Sequence, residues 1–247
     1  YLALSRLAPA QWTTLGHPCT SGLSSIDSYL SHQTLEVPGS ERFYSEQLIR
    51  LPEGSIYPDY PGDNLPARLR DRAQLGLPTD GPLLICPQSL FKLMPQFDQA
   101  LRGILEVTPQ ARLLLPEARH KGQITAIKRR FTATLGPLAN RVQFFPRRSR
   151  AEFIELVAAS DVLLDPFPVG GGITTWDSLA TGIPMVTLPG ELMRSRFAFS
   201  ALQQAGVMTT VARDLPDYIE IASRLLHDTD ERATIRAAVS AAAQSIY

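Results

Sequence analysis

The stretch DVLLDPFPVGGGITTWDSLATGIPMVTLPG, residues 161–190, has the pattern of a strand, a glycine loop, a helix and a second strand. The apolar run 162–164 is typical of a strand that is buried on both faces. The glycines 170–172 predict a loop whose backbone a ligand can approach closely. Thr174 and Asp177 have the spacing of a Thr-x-x-Asp capping box, which predicts a helix that starts just after Thr174. The segment therefore predicts one unit of an α/β fold.

A glycine loop that leads into a helix can bind an anion, because free N–H groups and the positive end of the helix dipole meet there. Thr174 and Thr175 add hydroxyl donors, and the Asp177 carboxylate can accept hydrogen bonds from sugar hydroxyls. These groups predict a site for a diphosphate and a ribose. The loop has neither the Gly-x-Gly-x-x-Gly nor the Walker pattern, so an ordinary strand-to-helix turn with a helix cap fits its spacing equally well.

The bulk composition of the 247-residue chain narrows the classes of protein that it can be. One or two domains fit this length, and 44% hydrophobic residues suffice for a sizeable core. Basic and acidic residues number 24 each, which argues against nucleic acid as a partner. No apolar run approaches the roughly 20 residues of a membrane span, so we expect no membrane partner. Cys19 and Cys86 have no metal spacing and indicate reduced thiols in the cytoplasm.

From residue 81 onward strand and helix patterns alternate, which predicts a parallel sheet with helices on both faces. Strand patterns cover 83–86, 112–115, 142–145, 162–164, 185–188 and 209–211. Helix patterns cover 96–107, 123–135, 151–159, 175–181, 192–205, 216–227 and 231–246. The predicted fold class is α/β, with a Rossmann-like, doubly wound parallel sheet.

The beginning of the chain lacks the regular alternation of strand and helix patterns and predicts a partial second α/β segment. Strand patterns lie at 10–15 and 26–31, and helical spacing lies at 41–50. The proline- and glycine-rich stretch 52–82 predicts a linker with one short helix at 67–75. The predicted domains are the tail of an N-terminal Rossmann-like half at 1–62, a linker at 63–80 and a Rossmann-like domain at 81–247 that contains the predicted diphosphate site.

Ligands of such sheets bind at the carboxyl ends of the strands, so the residues that follow each strand are the candidates. They are Ser89 and Lys92 after the first strand, Arg147, Arg148 and Arg150 after the third, the glycine loop after the fourth, and Glu191, Arg194 and Arg196 after the fifth. Cations around a loop of glycines and threonines suit a nucleotide diphosphate.

The run GIPMVTLPGE at 182–191, with Ser195-Arg196 after it, resembles the catalytic half of O-GlcNAc transferase and SPINDLY-type glycosyltransferases, glycosyltransferase family 41. The resemblance extends to Phe91-Lys92 and to the turn GHPCTSG at 16–22, and it covers nearly the whole chain in order. It implies a GT-B architecture, two Rossmann-like halves with a cleft between them. It also implies inverting transfer from a UDP-sugar, with no cofactor and no required metal.

The resemblance implies roles for individual residues. Lys92 becomes the catalytic cation that stabilises the leaving UDP phosphates, with an ordinary surface lysine as the alternative. UDP-sugar binding is implied for Ser89, Arg148, Arg150, Phe153, Gly171, Gly172, Ile173, Thr174, Thr175 and Asp177. Within that set the two threonines hold phosphates and Asp177 holds the ribose. Arg148 and Phe153 lie at the uracil, although Phe153 fits a core helix residue equally well.

Several positions depart from the family pattern. Gly172 stands where the family has a histidine, and the threonine pair is displaced by one position. Ser89 replaces a glutamine, whose contact Gln88 can take over. The family's acceptor-side histidine lies upstream of Tyr1, so we expect the rest of the N-terminal half to precede this chain as its partner in the cleft.

The histidines that are present have weaker signals. His17 lies in the turn 16–22, where it is either a ligand contact or a turn residue. The other three histidines have the pattern of surface or connector residues: His32, His120 and His227.

The implied function is an inverting glycosyltransferase that moves N-acetylglucosamine or another hexose from UDP to a protein or peptide acceptor. One alternative is a non-catalytic or incomplete nucleotide-sugar-binding module. Another is a UDP-sugar epimerase of the same architecture. The segment 89–92 and the run 182–196 favour the transferase over the epimerase.

Overall fold

Two parallel sheets organise the residues that the computed structural model describes, 4–52 and 70–246. The smaller sheet has the strand order β1-β2-β3, with β1 at Trp12–Thr14, β2 at Ser28–His32 and β3 at Gln47–Leu51. In this sheet β2 is central, and both of its neighbours run parallel to it. Much of the predicted linker 63–80 lies outside the described residues.

The larger sheet has five parallel strands in the order β6-β5-β4-β7-β8. They are β4 (Leu83–Ile85), β5 (Arg112–Pro116), β6 (Val142–Phe145), β7 (Val162–Leu164) and β8 (Met185–Val186). The chain runs outward from β4 to β6 and then returns to the other side of β4. The carboxyl ends of β4 and β7 therefore flank a topological switch point, where ligands of open α/β sheets bind.

Among the helices of the described chain, the first four connect these strands and the last three follow β8. In chain order the helices are α1 (Pro95–Val107), α2 (Lys121–Leu135), α3 (Arg150–Ala158), α4 (Ile173–Leu179), α5 (Phe197–Gln204), α6 (Leu215–His227) and α7 (Thr229–Ile246). Strands β4 and β7 are buried throughout, because helices cover both faces of the sheet. The alternation predicted from residue 81 onward is thus confirmed, with most boundaries shifted by one or two residues.

Four local predictions are wrong. Residues 41–50 form a 3₁₀ turn (Ser40–Phe43) followed by β3, because pairing with β2 overrides the helical spacing. The pattern 209–211 contributes only a bridge between Val211 and Thr187. The helix predicted at 192–205 splits into a 3₁₀ turn (Met193–Ser195) and α5. The described part of the helix predicted at 67–75 forms a turn, and the rest lies outside the described residues.

The small sheet packs against the segment that follows β8. Tyr29 of β2 belongs to the same buried apolar cluster as Met193, and Phe197 at the start of α5 packs against that cluster. The Tyr29 hydroxyl donates to the carbonyl of His17 at 2.6 Å. These contacts place the turn 16–22 beside the carboxyl edge of the larger sheet.

Candidate active site

Two adjoining cavities lie at the carboxyl ends of the larger sheet. The larger one, of about 750 Å³, lies between the glycine loop 170–172 and residues 15–18, which follow β1. The smaller one, of about 500 Å³, lies beyond the ends of β4, β5 and β6. Phe91, Arg150 and Asp177 line both cavities and form a partition between them. The arrangement suits a ligand with two linked parts.

Lys92 lies at the switch point and is held by two hydrogen bonds. Its Nζ donates to the carbonyl of Gly170 at 2.8 Å and to Oε1 of Gln88 at 3.0 Å. Gln88 is 3% exposed and donates from Nε2 to the Thr174 hydroxyl at 2.7 Å. Burial lowers the pKa of Lys92, and the negative charge of Asp165 opposes that shift. The predicted lysine and Thr174 are thus brought together through Gln88.

The glycine loop folds directly over the carboxylate of Asp165. The Gly171 N–H donates to Asp165 Oδ1 at 2.7 Å, and the Gly170 N–H donates to the carbonyl of Arg194 at 2.9 Å. A Cβ atom on Gly170 would lie 2.8 Å from Asp165 Oδ2, so this close approach requires glycine. These two N–H groups are used inside the protein. The N–H groups of Gly172 and Ile173, at the start of α4, are candidate donors to a ligand, because the first N–H groups of a helix have no intrahelical acceptor.

Helix α4 starts earlier than predicted and has only seven residues. Its N-cap residue is Gly172, and Thr174 lies inside the helix, so the predicted capping box is wrong. The Asp177 carboxylate is instead paired with Arg150, with Nη2 and Oδ1 2.6 Å apart. Lys92 and Arg150 thus place two cations beside the start of this short helix.

The remaining predicted donor-site residues divide between the cavities and the interior. Three of them line the smaller cavity: Ser89, Arg148 and Phe153. Ile173 lines the larger cavity and is 77% exposed. Thr175 is buried, and its hydroxyl lies directly beneath Gly171. Thr175 therefore supports the loop from inside and does not face a phosphate.

The charged residues after β8 do not all converge. Arg194 lines the larger cavity. Arg196 donates to the carbonyl of Gly190 at 3.1 Å, and Glu191 pairs with Arg42 of the 3₁₀ turn before β3 at 3.0 Å. Of these three residues, Arg194 is therefore the one that places a cation at the larger cavity.

The histidines also differ from expectation in part. His17 lines the larger cavity, as Lys92 does. His32 is fully buried, with Nδ1 2.7 Å from the Thr34 hydroxyl, so its surface assignment is wrong. His120 lines the smaller cavity.

Sequence reasoning missed Asp165, around which the loop is built. Asp165 is 2% exposed, and its Oδ2 accepts a hydrogen bond from the Thr187 hydroxyl at 2.8 Å. Burial raises the pKa of this carboxyl to about 6, against the opposing hydrogen bonds from Gly171 and Thr187. An acidic residue directly after a buried strand was the available signal, because strand ends form the ligand edge of the sheet.

Residues 4–52 and 70–246 contain neither a membrane-spanning helix nor a metal-ligating cluster. This part of the chain contains no helix that is long and apolar enough to cross a membrane. Nor does it contain a group of three or more His, Cys, Asp or Glu side chains that could ligate a metal ion. Cys19 and Cys86, both within it, are free thiols.

Parallel α/β sheets that meet at a cleft, with the candidate ligand site at the switch point, define a GT-B-like protein. The chain belongs to glycosyl transferase family 41, whose model matches residues 61–246.

Individual relatives agree with this assignment. The chain is 28% identical over 235 residues to a Petunia hybrida protein named probable UDP-N-acetylglucosamine–peptide N-acetylglucosaminyltransferase SPINDLY, covering 94% of this chain and 25% of that protein. It is 33% identical over 180 residues to the Caenorhabditis elegans UDP-N-acetylglucosamine–peptide N-acetylglucosaminyltransferase, covering 72% of this chain and 16% of that protein. A solved mutant of the Thermobaculum terrenum O-GlcNAc transferase matches with a TM-score of 0.84 and 28% identity, covering 97% of this chain and 45% of that one. This chain thus spans about a quarter of the length of the petunia relative.

Proposed function

We propose that this chain forms the donor half of an inverting glycosyltransferase that moves a sugar from a UDP-sugar to a protein or peptide acceptor. The relatives are named for UDP-N-acetylglucosamine and peptide, so the proposed sugar is N-acetylglucosamine or another hexose. One observation carries the proposal: the Lys92 ammonium is held against the glycine loop, in the cavity at the switch point.

The proposed nucleotide position is the smaller cavity. There Arg148 and Phe153 offer backbone atoms and a ring face to the uracil. The Asp177 carboxylate lies in the partition, where the ribose would pass. Arg150 donates three hydrogen bonds to this carboxylate, two of them to Oδ1. A carboxylate can accept about four, so the proposed contact with the ribose falls on Oδ2.

The proposed chemistry is a single displacement at the anomeric carbon. As the bond from that carbon to the diphosphate breaks, negative charge grows on the departing oxygen. A fixed ammonium such as Lys92 stabilises that charge more in the transition state than in the ground state. The N–H groups of Gly172 and Ile173 add hydrogen bonds to the same diphosphate. In this proposal these groups supply the charge neutralisation, and neither a metal nor a cofactor is assigned.

The acceptor enters, in the proposed arrangement, from the side of the small sheet. Residues 15–18 form that wall of the larger cavity, and the upstream N-terminal half of the same protein is the proposed partner that completes it. The petunia relative is about four times longer than the matched region, so proteins of this family can contain such a partner segment. A cytoplasmic location is part of the proposal, supported by the free thiols Cys19 and Cys86.

Calorimetry and a transfer assay on the natural full-length protein test the proposal. We expect binding of UDP and UDP-N-acetylglucosamine, with weaker binding of other nucleoside diphosphates. Lys92→Ala should lower kcat at least about 100-fold while UDP still binds, as for the loss of a transition-state contact. Lys121→Ala, at an exposed lysine, is the matched control.

Each alternative predicts a different result. A wild-type protein that does not bind UDP would contradict the proposal. UDP binding without transfer to any protein or peptide would instead favour the binding module. Inversion of configuration within the sugar of a UDP-sugar, without transfer, would favour the epimerase. Full activity of Lys92→Ala would show that the role of this lysine is wrong.

A further inference from the structure

We infer that Asp165 is a positioning residue of the donor site: its carboxylate fixes the glycine loop and places a negative charge behind Lys92. The inference rests on the proposed function, because it describes how that site is kept in the geometry that UDP requires.

The Asp165 carboxylate is itself rigidly placed. Asp165 directly follows β7, and its N–H donates to the carbonyl of Val186 at 2.9 Å. Its own carbonyl accepts the hydroxyl of Tyr218, from α6, at 3.0 Å. Its Oδ2 accepts the hydroxyl of the buried Thr187 at 2.8 Å. The sheet, a helix and a side chain thus fix this residue at three points.

A short chain of contacts leads from this carboxylate to Lys92. Asp165 Oδ1 accepts the N–H of Gly171, which orients the peptide of the loop. The adjacent Gly170 has no room for a Cβ atom above the same carboxylate, and its carbonyl accepts the Lys92 ammonium at 2.8 Å. A shift of the carboxylate would therefore shift both the loop and the lysine.

The negative charge of Asp165 acts on Lys92, and the other titratable groups on which it acts stay neutral. Among the described residues, the titratable groups that interact electrostatically with this carboxylate are Lys92, Cys86 and Tyr218. Burial raises the pKa of the Cys86 thiol and of the Tyr218 hydroxyl, so both stay neutral near pH 7. The negative charge of Asp165 therefore favours the protonated form of Lys92, against the burial that lowers the pKa of this lysine.

An asparagine at position 165 separates the two roles. Its amide oxygen can still accept the N–H of Gly171, and its NH₂ group can donate to the Thr187 hydroxyl. The loop then keeps its support, but the charge behind Lys92 is gone. If the role of Asp165 were purely structural, its replacement by asparagine would have little effect on the ionisation of Lys92.

The test compares wild-type protein, Asp165→Asn and Thr187→Val in the natural full-length chain, by kcat across pH and by UDP calorimetry. Asp165→Asn should lower kcat at least about tenfold and move its alkaline limb to lower pH by about half a unit or more, because Lys92 loses a neighbouring negative charge. Thr187→Val should move the acid limb to higher pH, because ionised Asp165 loses one hydrogen bond. Thr125→Val and Asp80→Asn are surface controls.

The outcomes separate the inference from the proposed function. Wild-type protein that binds UDP and transfers sugar, with an Asp165→Asn variant whose alkaline limb has not moved, overturns the inference and leaves the function intact. If Asp165→Asn does not fold, an unmoved acid limb in Thr187→Val overturns it independently. Wild-type protein that does not bind UDP overturns both.

Discussion

Two buried carboxylates support the two loops that face each other across the larger cavity. The surroundings of these carboxylates shift their pKa values in opposite directions. Glu46 supports the turn 16–22 of the small sheet. It accepts the N–H of Ser21 at 2.6 Å and the hydroxyl of Thr20 at 2.7 Å. Burial acts to raise the pKa of Glu46, but hydrogen bonds from Ser21 and Thr20 outweigh it, and the pKa falls to about 2.

Asp165, beneath the glycine loop, has the reverse balance. It accepts hydrogen bonds from Gly171 and Thr187, but its complete burial dominates and its pKa rises to about 6. Glu46 therefore stabilises the fold at neutral pH, whereas the ionised Asp165 costs stability there. A carboxylate that destabilises the fold is typical of a functional site, because a merely structural position would tolerate a neutral residue.

The largest expected effect is the pH dependence that Asp165 contributes to stability. Its pKa is about 6 in the folded state and about 3.9 in an unfolded chain, so the folded state binds more protons between these values. The free energy of unfolding should therefore fall by about 3 kcal/mol as pH rises from about 3 to about 8. Asp165→Asn should lack this fall, as measured by urea unfolding at several pH values.

The exposed Asp80 offers the control for this measurement. Asp80→Asn should leave the pH dependence of the wild-type protein unchanged, because its side chain is 82% exposed. If the free energy of unfolding changed with pH equally in Asp165→Asn and in wild-type protein, the contrast between the two carboxylates would be lost.

A somewhat smaller effect of opposite sign is expected at the other loop. Glu46→Gln should lower the free energy of unfolding by about 2 kcal/mol at neutral pH, because the ionised group accepts charge-assisted hydrogen bonds. A depressed pKa adds stability above the unfolded value, so the difference should disappear as pH falls from about 4.5 towards about 2. Glu117→Gln, at an exposed glutamate, is the control. A difference that grew on acidification would contradict this assignment.

The smallest effect is expected where the two regions touch at the surface. Arg42 and Glu191 join the small sheet to the segment after β8, but their side chains are 53% and 70% exposed. Arg42→Ala and Glu191→Gln in a double-mutant cycle should show a coupling below about 1 kcal/mol, because exposed ion pairs are screened by water. A larger coupling would mean that this pair, and not the buried packing around Tyr29 and Met193, joins the two regions.

The two regions also differed in how well the sequence predicted them. The larger sheet follows from local apolar runs such as 162–164, because a strand covered on both faces needs apolar residues throughout. The small sheet was harder to predict, since Gln47–Leu51 becomes a strand only by pairing with β2. His32 stands between the polar residues Ser31 and Gln33, and its burial results from the packing of that sheet.

Within the site, the sequence placed the glycine loop, Lys92 and Asp177 at one edge, and the structure gives their partners. The predicted capping box failed because Asp177 meets Arg150, a residue from another element. Thr175 has the same chemistry as Thr174, yet it is buried beneath the loop. Sequence spacing could not distinguish these two hydroxyls, because the rotation of a short helix about its axis is set by packing.

The sequence by itself determined the alternation of strands and helices and the edge at which a ligand binds. Those features depend on local periodicity and on the direction of parallel strands, both of which can be inferred from residues close together in the sequence. Only the tertiary structure decided the hydrogen-bond partners, such as Gly170 for Lys92 and Gly171 for Asp165. The physical reason is the strand order, which places the loops after β4 and β7 side by side although 78 residues separate Lys92 from Gly170.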